Sequence, residues 1–136
     1  MKLASFGKTA HTIRFMTDAG IDGLVGVNTQ NDYESIDIDK KEQKLFQVYT
    51  TLYGGGVSGK PIRAFAYEEI TKAKKEIIEQ GSPLRIIHVG GISSYQDIEE
   101  SRKLGDKVIL REWYTGMMDK MAKERFEDVY NSVLEK

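Results

Sequence analysis

Ile86-Ile87-His88-Val89-Gly90-Gly91-Ile92-Ser93-Ser94-Tyr95-Gln96-Asp97 is the stretch on which the fold of this chain turns. It reads as an apolar strand, a glycine pair and the start of a helix. Ser94 with Asp97 resembles a capping box, in which Asp is a weaker partner than Glu or Gln. Glycines at the carboxyl end of a strand let backbone approach a ligand closely. The free N–H groups of a following turn or helix suit an anion, usually a phosphate. Read as structure alone, the same residues form a strand-to-helix turn whose glycines serve only its shape. These residues by themselves admit both readings.

Working outward, strands and helices alternate. Tyr67–Gln80 carries Ile70, Ala73, Ile77 and Ile78 on one side among lysines and glutamates, which predicts an amphipathic helix stopped by Gly81. The strand Leu84–Val89 follows. Beyond it, Ser94–Leu104 is predicted as a helix closed by Gly105, Lys107–Leu110 as the last strand, and Lys120–Leu134 as a final helix with Phe126, Val129, Tyr130 and Val133 inward. Toward the N-terminus, Met1–Ser5 reads as the end of a strand. Thr9 would cap a helix running to Ala19, with Ile13, Phe15, Met16 and Ala19 as its apolar side and Gly20 as its stop. Gly23–Asn28 is a short strand by its β-branched content.

Between Thr29 and Ala66 the chain is long, polar and irregular, with Ser35–Ile38 and Leu45–Leu52 as candidate minor strands. A connection of that length in a compact domain is usually a binding loop or lid. The alternation argues an α/β fold with a parallel sheet and right-handed crossovers. Such βα units fit either a small doubly wound domain or half of an eight-stranded barrel, and residues 1–136 make one domain's worth of chain.

Side chains alternate across a strand. Val25 and Val27 therefore share a face opposite Leu24, Gly26 and Asn28, and Ile87 and Val89 lie opposite Ile86, His88 and Gly90. With helices over the apolar faces, Lys2, Asn28 and Gly90 point the other way. In a barrel they would meet at the carboxyl mouth of the strands and make it polar and anion-tolerant. His88, mid-strand, is expected as a hydrogen-bonded core residue rather than a catalyst.

Composition excludes several classes. The formal charge of −1 leaves no basic footprint for nucleic acid. Cysteine is absent, which removes disulfides, thiolate metal sites and a cysteine nucleophile. The two histidines, His11 and His88, fall on different elements, so no zinc site is expected. No apolar run reaches spanning length and the N-terminus lacks a signal-peptide layout, so a soluble, cytoplasmic protein is expected.

Gly54-Gly55-Gly56-Val57-Ser58-Gly59-Lys60-Pro61 nearly matches the phosphate loop of nucleotide triphosphatases. The match fails where it matters. That motif needs a Ser or Thr hydroxyl after the lysine, and Pro61 offers neither hydroxyl nor N–H. A convincing strand before it and a helix opening at once after it are also missing from the sequence pattern.

Taken together, the glycine sites have a better account. Gly55-Gly56-Val57-Ser58-Gly59-Lys60-Pro61-Ile62, Val89-Gly90-Gly91-Ile92 and Tyr114-Thr115-Gly116, in that order, resemble the flavin-binding half of dihydroorotate dehydrogenases. Ala19-Gly20-Ile21-Asp22-Gly23-Leu24 with Val27-Asn28-Thr29 resembles the sixth strand of that family's barrel, and Lys2-Leu3-Ala4-Ser5 the fifth. The resemblance implies the C-terminal half, strands five to eight, of a TIM barrel that binds FMN at its carboxyl mouth. It implies an FMN-dependent oxidoreductase that takes dihydroorotate to orotate in pyrimidine biosynthesis. By the same resemblance Lys2 would contact the flavin ring, and Asn28 and Thr29 would hydrogen-bond the pyrimidine. Gly56, Gly59, Gly90 and Gly91 would line the ribityl phosphate, with Tyr114, Thr115 and Gly116 finishing its cup at a helix start. As plain structure, Lys2 is a frayed terminus, Asn28-Thr29 a strand end, and Trp113 and Tyr114 packing for the last helix.

The resemblance also has edges. A complete barrel of this kind typically needs ~250 residues. The chain is therefore expected to be a fragment or truncated relative, completed by a missing half or by forming a homo-oligomer. The Ser or Cys base would lie in the missing half, so the chain by itself is expected to be inactive. The run from Gly105 to Tyr114 is longer than its family counterpart, and Tyr33–Tyr53 matches poorly. The Gly-Val-Ser-Gly form is also similar to dihydropyrimidine dehydrogenases. A non-catalytic α/β module that binds another phosphate ligand, or keeps the turns only for folding, is the alternative of a different class.

Overall fold

The computed structural model describes residues 1–32, 36 and 38–123. In chain order the elements are β1 (Lys2–Leu3), α1 (Thr9–Asp18), β2 (Gly23–Gly26), α2 (Lys40–Tyr53), a 3-10 turn (Lys60–Ile62), α3 (Arg63–Glu79), β3 (Arg85–Val89), α4 (Tyr95–Arg102), β4 (Val108–Glu112) and α5 (Thr115–Met121). The four strands form one sheet in the order β1-β2-β3-β4, and every pairing is parallel. Parallel neighbours taken in sequence, each reached through a helix, are the arrangement of successive units of a TIM barrel. The expected α/β fold is present.

One face of the sheet makes the core. Leu24, Ile86 and Val108 pack against Ile13 and Met16 of α1 and Ala66, Ile70, Ala73 and Ile77 of α3. Each fully buried Leu or Ile there contributes about 2 kcal/mol relative to exposure. Leu24, Ile86 and His88 thus face the helices, while Val25 and Ile87 face away. Along β3 the expected pairing of Ile86 with His88 and of Ile87 with Val89 holds, but Val27, expected beside Val25, is buried in the core, and the apolar face assigned to the helices was the wrong one. Both faces carry aliphatic residues, so periodicity alone does not choose between them. Lys2, in register with Val25 and hence with Ile87, does lie away from the helices as expected. The face opposite the helices leaves Ile109 and Leu110 exposed.

Helix edges shift as well. In α1, Ile13 and Met16 are buried, but Phe15 and Ala19 are exposed, and Thr9 is the first helical residue rather than its cap. The α3 helix starts at Arg63, and its Ile78 is exposed rather than inward. The candidate strand Leu45–Leu52 is instead part of the helix α2. Asp39 caps it by accepting from the Lys41 N–H at 2.7 Å. The straight-chain run Lys40-Lys41-Glu42-Gln43-Lys44 then favours helix over the β-branched residues that follow. Of the candidate strand Ser35–Ile38, Ile36 and Ile38 are described and neither is in a strand; Ser35, Asp37 and most of Lys120–Leu134 lie outside the described residues.

β4 contains an irregularity. Ile86 is opposite Val108 but Ile87 is opposite Leu110, so Ile109 is an extra residue in the last strand. With this bulge β4 runs on to Glu112.

Candidate functional site

At the carboxyl ends of the strands lies a cavity of about 290 Å³. That is the small end of the range for ligand pockets. Lys2 enters it from β1, Asn28 and Thr29 from the end of β2, and Gly90 and Gly91 from the end of β3. Gly59, before α3, and Tyr114 and Thr115, after β4, complete the expected set. Gly56 and Gly116 are the two expected residues that do not line it.

Each piece is held for a local reason. The Asn28 N–H donates to the Leu3 carbonyl at 2.8 Å, so the end of β2 is fixed beside β1. Gln30 and Val57 exchange backbone hydrogen bonds of 2.9 and 2.7 Å, which lays the glycine loop across the end of β2. Gly56 serves that contact, because a Cβ there would sit 2.8 Å from the Gln30 carbonyl oxygen. At Gly59 a Cβ would meet Thr115 Cγ2 at 2.9 Å, while the Thr115 hydroxyl donates to Ser58 Oγ at 3.0 Å. Two loops distant in sequence thus close against one another at the cavity wall. Gly116 is packed under Ser93, where a Cβ would lie 2.7 Å from Ser93 Cα.

The glycine pair after β3 has both of the roles weighed for it. Gly91 takes φ +79° and rests on the start of α3, where an added Cβ would come within 2.5 Å of Arg63 Cα. The turn is therefore shaped by packing, and it also lines the cavity. Arg63 continues from there to the α4 cap. Its Nη1 is 2.7 Å from Asp97 Oδ1 and its Nη2 is 2.5 Å from Glu100 Oε2. Ser94 Oγ accepts from the Asp97 N–H as expected of the cap, but Asp97 Oδ2 accepts from the N–H and hydroxyl of Ser93, each at 2.9 Å, instead of from the Ser94 N–H. Burial alone would raise the Asp97 carboxyl; the hydrogen bonds from Ser93 and Ser94, with Arg63 alongside, hold it below its ordinary range.

His88 lies directly beneath this turn and is fully buried. Its Nδ1 is 2.7 Å from Ser101 Oγ, and the Tyr67 ring meets it edge-on with centroids 5.0 Å apart. Burial lowers its pKa to about 4, so it is neutral at physiological pH. The expectation of a hydrogen-bonded core histidine is met.

Two polar residues of the cavity went unread in the sequence. Ser58 was hidden inside the false phosphate-loop match, in which the helix does follow at once, through Lys60–Ile62 into α3, although helix α2 rather than a strand precedes it. Glu112 lay beyond the strand expected to end at Leu110. Its carboxylate, Oε1, stands 3.5 Å from Lys2 Nζ. Alternation from Leu110 to Glu112 was the signal available for it.

The cavity therefore has a cation at one side, amide and hydroxyl groups between, and close-packed glycine backbone at the other. A family model described as dihydroorotate dehydrogenase matches residues 2–130. The chain belongs to the dihydroorotate dehydrogenase family. It is 32% identical over 109 residues to the dihydroorotate dehydrogenase (quinone) of Chromobacterium violaceum, an alignment covering 80% of this chain and 28% of that protein. To the enzyme of the same description from Marinobacter nauticus it is 31% identical over 110 residues, covering 78% of this chain and 28% of that one. The crystal structure of the DHODH of Eimeria tenella in complex with ferulenol superposes with a TM-score of 0.67 at 23% identity, over 97% of this chain and 31% of that one. The ligand-free form from the same organism gives 0.67 at 24% identity, over 97% of this chain and 32% of that one. The sheet of this dihydroorotate dehydrogenase family member is thus part of a TIM barrel, and the chain spans between a quarter and a third of the length of these relatives. No helix among its described residues is long and apolar enough to cross a membrane.

Proposed function

We propose that this chain supplies the FMN-binding part of a barrel that oxidises dihydroorotate to orotate. The observation that carries this reading is the meeting of Lys2, Asn28 and the Gly90–Gly91 turn in one cavity at the carboxyl ends of parallel strands. Barrel sites for phosphate-bearing ligands form there, from the loops after the last strands. The residues present suit FMN. Backbone of Gly59, Gly90, Gly91 and Thr115 offers close approach for the ribityl phosphate, with Tyr114 at its rim, and Gly56 and Gly116 hold the two loops in position. Lys2 places positive charge where the flavin ring would carry negative charge on reduction, and Glu112 tempers that charge. Asn28 and Thr29 provide hydrogen-bonding groups for a pyrimidine.

Bound FMN supplies the hydride acceptor. The substrate must also lose a proton, and the base that takes it belongs to barrel units other than these four. The uncovered sheet face, with Ile109 and Leu110 exposed and Val25 and Ile87 half-buried, supports association either with those units or with a second copy of the chain. The tight packing around Gly56, Gly91 and Gly116 favours one other reading, a non-catalytic module that keeps these turns for folding or for a different phosphate ligand.

The two readings part on a visible spectrum. The purified chain is expected to bind FMN and to show its absorption bands after gel filtration with the cofactor. Absence of the chromophore and of any FMN affinity would remove the flavin reading for this chain. Turnover of dihydroorotate by the chain alone is expected to be negligible, and robust turnover would refute the placement of the base elsewhere.

A further inference from the structure

The side of the sheet away from α1 and α3 carries apolar residues, open edges and a pair of charges that the chain does not use in its own core. Lys2, Val25, Ile87 and Leu110 stand in one row of the register. Leu110 is exposed, and Val25 and Ile87 are half-buried. Among the described residues β1 and β4 each have a strand on one side only, so the sheet has two free parallel edges. Those edges are oppositely charged at the cavity. Lys2 stands on β1, and Glu112, two residues beyond Leu110 and on the same side of its strand, stands on β4.

Parallel sheets are stable with both faces covered, and a free edge invites a further strand. Whatever completes this sheet has to bring an apolar face, a parallel strand for each edge, an anion for the Lys2 edge and a cation for the Glu112 edge. A separate peptide strand would fill one edge and leave the apolar row bare. A second copy of the chain brings everything at once.

We propose that two copies of this chain join edge to edge into one closed, two-fold symmetric eight-stranded barrel, with β4 of each copy beside β1 of the other. Four parallel strands make half the circuit of such a barrel, and its interior is a packed core rather than a pore. A contact from the β4 edge of one copy to the β1 edge of the next is head-to-tail, and at half a circuit per copy it closes after two. The Val25, Ile87 and Leu110 rows of the two copies then face each other across the core. Glu112 of each copy meets Lys2 of the other at two charge-matched seams, and both cavities open at the same mouth. This interface does not depend on which ligand the cavity takes, and so goes beyond the FMN reading.

The test uses this chain by itself, without any ligand. Sedimentation equilibrium is expected to give twice the mass of one chain, and a monomer overturns the proposal. Leu110→Glu puts a charge into the proposed core at a position already exposed in the single chain. It is expected to give a monomer with unchanged circular dichroism, and a folded Leu110→Glu dimer would place the interface elsewhere and overturn the proposal. Lys2→Glu and Glu112→Lys each set like charges against one another at both seams, and are each expected to weaken the dimer roughly tenfold. Mixing those two variant chains, one of them ¹⁵N-labelled, restores opposite charges at both seams. Native mass spectrometry is then expected to show the mixed pair in roughly tenfold preference over either self-pair. Random pairing would confine the Lys2–Glu112 attraction to a single chain and sink the proposal, even if Leu110→Glu fails to fold.

Discussion

Lys2 Nζ stands 3.5 Å from Glu112 Oε1, so an ion pair joins the first strand of the sheet to the last across the open face. The two side chains are 45% and 42% exposed, which limits the strength of the pair to the range of surface ion pairs. Its importance is for charge at the cavity mouth. Glu112→Gln leaves Lys2 uncompensated and is expected to tighten FMN binding by about two- to fivefold at low salt. Lys2→Ala is expected to weaken it by a similar factor. Fluorescence-quenching titrations at two ionic strengths measure both, and unchanged affinity in the pair of variants would take Lys2 out of the site.

Gly91 and Gly81 both have positive φ, +79° and +61°, but only Gly91 is hemmed in by backbone. Gly81→Ala meets nothing within 4 Å and should cost about 1 kcal/mol, the conformational penalty alone. Gly91→Ala also drives a methyl group into Arg63 Cα and is expected to cost about 3 kcal/mol and to weaken FMN binding. Urea unfolding of the two variants compares them directly.

Stability should fall in mildly acidic solution because of His88. Its folded pKa of about 4 lies below the ordinary 6.5, so the unfolded chain takes up the proton first as pH drops. The stabilisation is complete above pH 6.5 and is lost progressively as pH falls toward 4. Over that window it amounts to on the order of 3 kcal/mol. Arg111 and Arg63 face the ring and reinforce the downward shift, after burial, while Asp97 opposes it. Unfolding free energies of the parent and of His88→Gln, measured from pH 7 to 4.5, should converge or cross as the parent loses stability and the variant does not. Parallel curves would remove His88 as the cause.

Asp97 joins the turn, the α4 cap and Arg63. Its side chain is 5% exposed and accepts from Ser93 twice while pairing with Arg63. Asp97→Ala leaves the partly buried Arg63 guanidinium with Glu100 alone and the part-buried Ser93 N–H without its acceptor, and is expected to cost about 2 kcal/mol. Ser94→Ala removes only one capping bond and should cost about 1 kcal/mol. Thermal melts of the two variants give the order.

The glycine pair was legible because Gly90-Gly91 follows an apolar run and precedes Ser94, a sequence of signals that are all local. The Leu45–Leu52 region was not. Its residues suit either a strand or one side of a helix, and the Asp39 cap with the lysine-rich first turn decides for helix. Glu112 stayed hidden for a different reason. Its place depends on the bulge at Ile109, and a bulge is a property of two strands pairing, not of one strand's own residues.

The alternation of strands and helices, the parallel α/β class and the family could all be read along the chain, because periodicity, glycine turns and motif order are written there. Which face of the sheet the helices cover, the meeting of Lys2 with Glu112 and the seat of Gly91 on Arg63 emerge only once the chain is folded. Each of those depends on side chains brought together from positions far apart in the chain. With aliphatic residues on both faces of β2 and β3, the packing of α1 and α3 against Leu24 and Ile86 makes the choice that alternation leaves open.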